Sequence, residues 1–207
     1  MNAFYDGKAI GLLVLFLVVL FATVPMMGKW MARLSEGRLP EPLLKLERAS
    51  LRLCGVDPGH EMSWKEYALA VLLFSVLGVL AVYALQRFQA LLPLNPQNFP
   101  AVSADSAMNT ALSFVTNTNW QGYSGEATMS YLTQMLALAV QNFFSAATAV
   151  GVVFALIRGF ARKEAGAIGN FWVDAWRATV FLLLPISFVF ALALARQGVM
   201  QNFSEYV

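Results

Sequence analysis

Charge is what this 207-residue sequence has least of: 13% of its residues are Asp, Glu, Lys or Arg, against 58% hydrophobic. Soluble domains carry about 25% charged and about 45–50% apolar residues, so the composition excludes a cytosolic globule and a disordered tail alike. Cysteine is nearly missing; Cys54 stands alone, which rules out an intrachain disulfide and reads as a small buried apolar residue. Histidine is as scarce. With His60 the sole imidazole, a zinc cluster lacks soft ligands, and an intramembrane serine protease lacks a base at membrane depth. The nine methionines form no stripe, and a net charge of +2 gives no basic surface for a nucleic-acid partner.

What is present is long apolar runs. Ala9 to Gly28 is 20 residues without a charge, Tyr67 to Gln86 another 20, Ala127 to Ile157 31, and Ala178 to Ala195 18. About 20 apolar residues in a helix cross a bilayer core, so the fold class is an all-α polytopic membrane protein with about four transmembrane helices. The first run exceeds a signal peptide's apolar stretch of about 7–15 residues and no A-x-A site follows, so it reads as a retained helix.

The charges set orientation. Seven of the 14 basic residues fall between the first two spans, in 29–66, and Arg158, Arg162, Lys163 and Arg177 fall between the third and fourth. Lys and Arg mark the cytoplasmic side, so both termini are expected to face outward. Leu43 to Leu53, alternating leucines with Lys45, Glu47, Arg48 and Arg52, reads as a short amphipathic helix on a membrane or partner surface, or as loop. Phe160 to Trp176 reads as a second interfacial segment with Phe171, Trp172 and Trp176 at headgroup height, or as loop plus anchor. His60, beside Asp57 and Glu61, reads as a solvated loop residue. In the third span, Gln134, Gln141 and Asn142 serve either helix packing or the lining of a vestibule, and Ser145, Ala146, Ala147, Ala149 and Gly151 permit close helix approach.

The segment from Arg87 to Glu126 is unlike the rest. Leu92-Pro93-Leu94-Asn95-Pro96-Gln97-Asn98-Phe99-Pro100 breaks any helix. Ser103 and Asp105 offer N-cap and first-turn chemistry, and Ser106 to Val115 has room for a helix of about 16 Å, half a bilayer. Polarity then jumps at Thr116-Asn117-Thr118-Asn119-Trp120-Gln121-Gly122-Tyr123-Ser124-Gly125-Glu126. One reading is a re-entrant helix and loop, because irregular backbone at membrane depth survives where it lines a watery cavity. Uncharged Thr, Asn and Gln oxygens with backbone carbonyls suit a weakly hydrated monovalent cation, the helix aims its negative end at it, and Gly122 and Gly125 turn the chain out. The other reading is an ordinary extracellular loop.

Ser113 to Gln121 and Tyr123-Ser124-Gly125-Glu126 closely resemble the first pore loop of the potassium-binding A subunit of the bacterial Kdp potassium-transporting ATPase. Met62-Ser63-Trp64-Lys65, Leu92 to Gln97, Val140-Gln141-Asn142-Phe143, Phe154 to Arg158, Trp172-Val173-Asp174 and Gln201-Asn202-Phe203 are similar to that family too, so the resemblance covers essentially the whole chain. It implies a channel-like potassium-binding and translocating subunit of the potassium transporter superfamily, in the bacterial inner membrane. Four span–pore loop–span repeats surround one pore in that family. Here residues 1–66 would be an additional helix and cytoplasmic loop, 67–157 the first repeat, and 158–207 a loop and the first span of a second repeat.

By the family pattern Thr116, Asn117, Thr118 and Asn119 offer oxygens to potassium, and Gln121 lies by the outer filter; the motif is not the TVGYG of simple potassium channels. Potassium would be the transported substrate, with no tightly bound cofactor. The implied partners are a P-type ATPase catalytic subunit, small single-span accessory subunits and the lipid bilayer. The resemblance implies that ATP hydrolysis resides in another subunit, and consistently the chain contains no Asp-Lys-Thr-Gly or Walker motif. One filter segment supplies about a quarter of an ion's shell, so these 207 residues alone are not expected to form the pore. The alternatives are a non-conducting assembly or interaction protein derived from that subunit, and a fragment, either of a broken gene or the front portion of a longer one.

Overall fold

In a computed structural model, residues 7–162, 166–200 and 202–205 are described; Lys163 of the basic segment and Gln201 of the C-terminal motif lie outside the described residues. Among the described residues every regular element is helical: α1 (Gly7–Ser35), α2 (Glu41–Leu53), α3 (Trp64–Phe88), α4 (Ala104–Val115), α5 (Gly125–Thr128), α6 (Val140–Ala161), α7 (Phe171–Arg177) and α8 (Leu184–Arg196). A 3₁₀ turn, Gln89–Leu91, extends α3, a π-helical stretch, Thr133–Ala139, runs into α6, and another, Ala178–Leu183, joins α7 to α8. Four continuous helices result, Gly7–Ser35, Trp64–Leu91, Thr133–Ala161 and Phe171–Arg196, each long and apolar enough to cross a membrane.

The chain divides into two compact units, Met1–Leu44 and Lys45–Val207, with the division inside α2. In the first, α1 keeps Pro25 within it and ends in a Schellman turn. Arg38 N donates to Arg33 O (2.9 Å) and Gly37 N to Leu34 O (3.2 Å), with Gly37 at φ 68° supplying the left-handed residue this cap requires.

In the second unit, α3 starts with a capping box: Glu66 N donates to Ser63 Oγ, and Ser63 N to Glu66 Oε2 at 2.7 Å. Two buried clusters hold the helices together. Val82, Val102, Ala107, Ala111, Phe114 and Met129 join α3, α4 and the segment after the loop. Met62, Tyr67, Ala70, Ala155, Phe171 and Ala175 join α3, α6 and α7 near the Trp64 end. Outward residues of α3 such as Leu69, Leu72, Val76 and Leu80 stay exposed, as lipid-facing residues do.

Several expectations change. The third span begins at Thr133 rather than Ala127, because Gly125–Thr128 forms its own turn and Ser130 Oγ accepts the Thr133 N–H (3.2 Å), restarting the helix. The fourth starts at Phe171, where the Asn170 side chain accepts from the Trp172 and Val173 N–H groups. Phe171 is therefore fully buried, and α7 is part of a span rather than an interfacial segment. The stretch read as amphipathic is helical, as α2, with Glu47 and Leu51 buried. Ser103 occupies the N-cap position of α4 without a side-chain bond. Cys54 is exposed, because it lies just past the end of α2, ahead of the left-handed turn at Gly55. His60 is solvated, with Nε2 3.7 Å from Glu66 Oε1.

Candidate functional site

α4 runs back along α3. At its start Val102 N donates to Gln86 O (3.2 Å) and Gln86 Nε2 to Ala107 O (3.1 Å). At its end Val115 packs so close to Gly78 that a Cβ there would lie 3.2 Å from Val115 Cγ2. Gly78 is at the middle of Trp64–Leu91, so α4, 12 residues and about 18 Å long, stops halfway along the span beside it.

The return leg finishes where the descent began. Gln89, fully buried, donates from Nε2 to Pro100 O (2.6 Å) ahead of α4 and to Thr128 O (2.9 Å) after the loop. Its Oε1 accepts from Ser130 N and Thr133 Oγ1, both at 3.1 Å. Asn95 fixes the proline-rich approach through paired bonds with Phe99 N and O at 2.9 Å. The segment thus enters and leaves at one end of α3, the geometry of a re-entrant loop.

At the turning point the backbone alternates. Thr116 has φ −80°, Asn117 φ 59° and Asn119 φ 54°, while Thr118 is not among the positive-φ residues. Asparagine tolerates the left-handed region better than most side chains. The reversal expected of Gly122 and Gly125 falls on these asparagines instead, and neither glycine has positive φ.

The alternation sorts donors from acceptors. Thr116 N donates to Leu112 O (3.0 Å), Asn117 N to Phe114 O (3.3 Å), and Thr118 N and Asn119 N both to Ser113 O (3.0 and 3.1 Å). All four N–H groups are therefore spent on the carboxyl end of α4. Among the described residues, no hydrogen bond reaches the carbonyl oxygens of Thr116, Asn117, Thr118 or Asn119, and all four residues are exposed. The side chains support the same turn. Ser113 Oγ donates to Trp120 O (2.8 Å), Thr116 Oγ1 to Leu112 O (2.8 Å), the Thr116 and Thr118 hydroxyls lie 3.0 Å apart, and Ser145 Oγ donates to Asn117 Oδ1 (3.1 Å).

The four residues from Thr116 to Asn119 are thus brought together as one row of oxygens. Gln121 follows beyond exposed Trp120 and forms no side-chain hydrogen bond among the described residues. Neutral oxygens in such a row suit a monovalent cation that must also be released. Asp105 sits at the first turn of α4, so its charge and the helix dipole are aligned, with the dipole's negative end at the loop. Tyr123 packs against the α3–α4 core, where burial pushes its phenol up to about 12, and its buried hydroxyl has no hydrogen-bond partner among the described residues.

A second polar cluster was not visible in the sequence. Arg158 grips Asp174 through two bonds, 2.6 and 2.8 Å, and the Tyr67 hydroxyl is shared between Gly151 O (2.7 Å) and Asp174 Oδ2 (3.1 Å). Asp174 is 1% exposed. An acid beside an 18-residue apolar run was the available signal, since such residues are paired in membrane proteins. A second buried pair, Arg177 with Glu47 (2.6 and 2.8 Å), ties the same end of the fourth span to α2.

A sequence model of the potassium-transporting ATPase A subunit family matches residues 14–207. A potassium-transporting ATPase potassium-binding subunit from Dechloromonas aromatica is 65% identical over 195 residues, covering 94% of this chain and 33% of the relative. The subunit of the same name from Bordetella parapertussis is 58% identical over 205 residues, 98% of this chain and 34% of the relative. That from Ralstonia nicotianae is 58% identical over 209 residues, 100% and 34%. The chain spans about a third of the length of the curated relatives it matches.

Proposed function

Because the chain belongs to the potassium-transporting ATPase A subunit family, we propose that its re-entrant loop contributes one wall of a potassium filter. The chain would act as a potassium-binding and translocating part of an ATP-driven uptake complex. Thr116, Asn117, Thr118 and Asn119 present their oxygens to the ion and Gln121 guards the outer side. The observation that carries this reading is the inward commitment of all four N–H groups, which leaves a row of carbonyls with no bonding partner among the described residues. In a bilayer such a row is costly unless water or an ion meets it.

In this reading residues 67–157 are one span–pore loop–span repeat, and the ion's shell is completed by equivalent loops. Potassium is substrate rather than cofactor. ATP is hydrolysed by a separate P-type catalytic subunit, and small single-span subunits accompany the complex in the inner membrane. The concentration of basic residues in 29–66 and 158–177 supports a topology with those segments on the cytoplasmic side and both termini of this chain outward.

The test is reconstitution of a complete A subunit containing these residues with its partner subunits, followed by potassium-stimulated ATPase assays. Asn119→Ala and Gln121→Ala should raise the apparent potassium constant by about ten-fold or more, as lost transition- and ground-state contacts do. Unchanged constants in both variants would sink the site assignment.

A further inference from the structure

We propose that Ser145 and Gln141 of the third span, set against Gly78 of α3, are positioning residues that fix the curvature of the Thr116–Asn119 loop and so its discrimination among monovalent cations. The proposal rests on the filter reading above and deepens it.

Ser145 is 3% exposed, and its hydroxyl is shared between Asn117 Oδ1 (3.1 Å) and Asn142 O (3.3 Å). Among the described residues this is the one side-chain bond from residues 116–121 to anything outside α4 and the loop itself. It falls on Asn117, the first left-handed residue, where the alternation of the backbone begins. The amide of Asn117 is thus held from behind while its carbonyl is left to the ion.

Gln141 lies one helical turn before Ser145, on the same face of the third span. It is 5% exposed and makes no side-chain hydrogen bond among the described residues. Its Oε1 packs on Gly78, 2.9 Å from where a Cβ would stand, and that same Cβ would touch Val115, the residue just before Thr116. The absence of a side chain at Gly78 therefore lets three helices meet at the base of the loop. A crevice of about 230 Å³ between α3 and the third span opens beside them. The π-helical stretch ends at Ala139, two residues before Gln141, and its extra residue per turn sets which face of the helix follows.

A seat of this kind acts on loop shape rather than on the ion, so its signature is selectivity. In the complete A subunit assembled with its ATPase partners, apparent constants for potassium and rubidium are read from cation-stimulated ATPase activity. Ser145→Ala should weaken potassium about five-fold, the effect of one lost hydrogen bond. It should also change the potassium-to-rubidium ratio by about three-fold or more, with maximal rate held within about two-fold. Ser145→Thr, which keeps the hydroxyl, should restore the parent ratio, and Gly78→Ala should shift it independently. An unchanged ratio in Ser145→Ala, whether or not the maximal rate falls, overturns the proposal when Asn119→Ala still shifts the potassium constant. If neither variant shifts it, the filter reading itself fails. Should Ser145→Ala not assemble, an unchanged ratio in Gly78→Ala is equally decisive against the seat.

Discussion

The Arg158–Asp174 pair offers the sharpest test of the energetics. Replacing Asp174 by Ala removes a carboxylate that is 1% exposed and strips the Arg158 side chain, 14% exposed, of both its bonds to that carboxylate. Arg158 keeps a bond to Ile168 O (3.2 Å) and Tyr67 keeps Gly151 O, but neither neutralises a cation. Breaking a buried pair by deleting one partner costs about 3–5 kcal/mol, whereas replacing both by apolar residues of similar volume is close to neutral. The single variant should therefore unfold far more easily than Arg158→Met combined with Asp174→Leu, by about 2 kcal/mol or more. Denaturant titration of the detergent-solubilised protein, followed by tryptophan fluorescence, measures both, because Trp172 and Trp176 flank the pair on α7. A single variant within about 1 kcal/mol of the parent, or a double variant as unstable as the single, would refute the broken buried pair as the cause.

Two further predictions concern groups outside the spans. The Arg162 guanidinium, bonded to Glu61 at 2.8 and 3.1 Å, holds the Glu61 carboxyl below its ordinary 4.5. A depressed folded pKa gives stability that is present above the unfolded value and lost as pH falls through the folded one. The parent should thus lose slightly more thermal stability than Glu61→Gln between pH 6 and 3, by well under about 1 kcal/mol because the pair is exposed; equal slopes would contradict it. Tyr123→Phe should leave stability unchanged or raise it, since the hydroxyl removed is buried with no partner among the described residues. A loss of more than about 1 kcal/mol in thermal or denaturant unfolding would show that the hydroxyl has a partner after all.

Much of this fold is readable from where charge is absent. The runs beginning at Ala9, Tyr67 and Ala178 lie inside observed helices, and the half-length helix before Thr116 follows from ten apolar and small residues bounded by prolines and amides. Boundaries were less legible because they depend on partners distant in sequence. Thr133 starts a span because Ser130 and Gln89 meet it, and Phe171 is buried because Tyr67 and Phe74 pack on its ring at 5.7 and 5.5 Å. The loop's composition pointed to an oxygen row, but not to its turning residues. Glycine is the usual choice for positive φ, and only the convergence of the Thr118 and Asn119 N–H groups on Ser113 explains why two asparagines take that role. The role of Asp174 was not legible, because its partners Arg158 and Tyr67 lie 16 and 107 residues away.

Gln89 has a consequence for how this region is made. Its one amide is bonded on both sides of the excursion, to Pro100 O and to Thr128 O, with Ser130 and Thr133 on its oxygen. The entropic penalty of closing a loop rises only with the logarithm of its length, so a single clasp can hold the two ends of the segment together locally. The excursion then resembles a loop sewn shut at its neck. Its neck can close as soon as α3 and residues 100–133 have been synthesised, while the contact of Ser145 with Asn117 is added only when the rest of the third span follows.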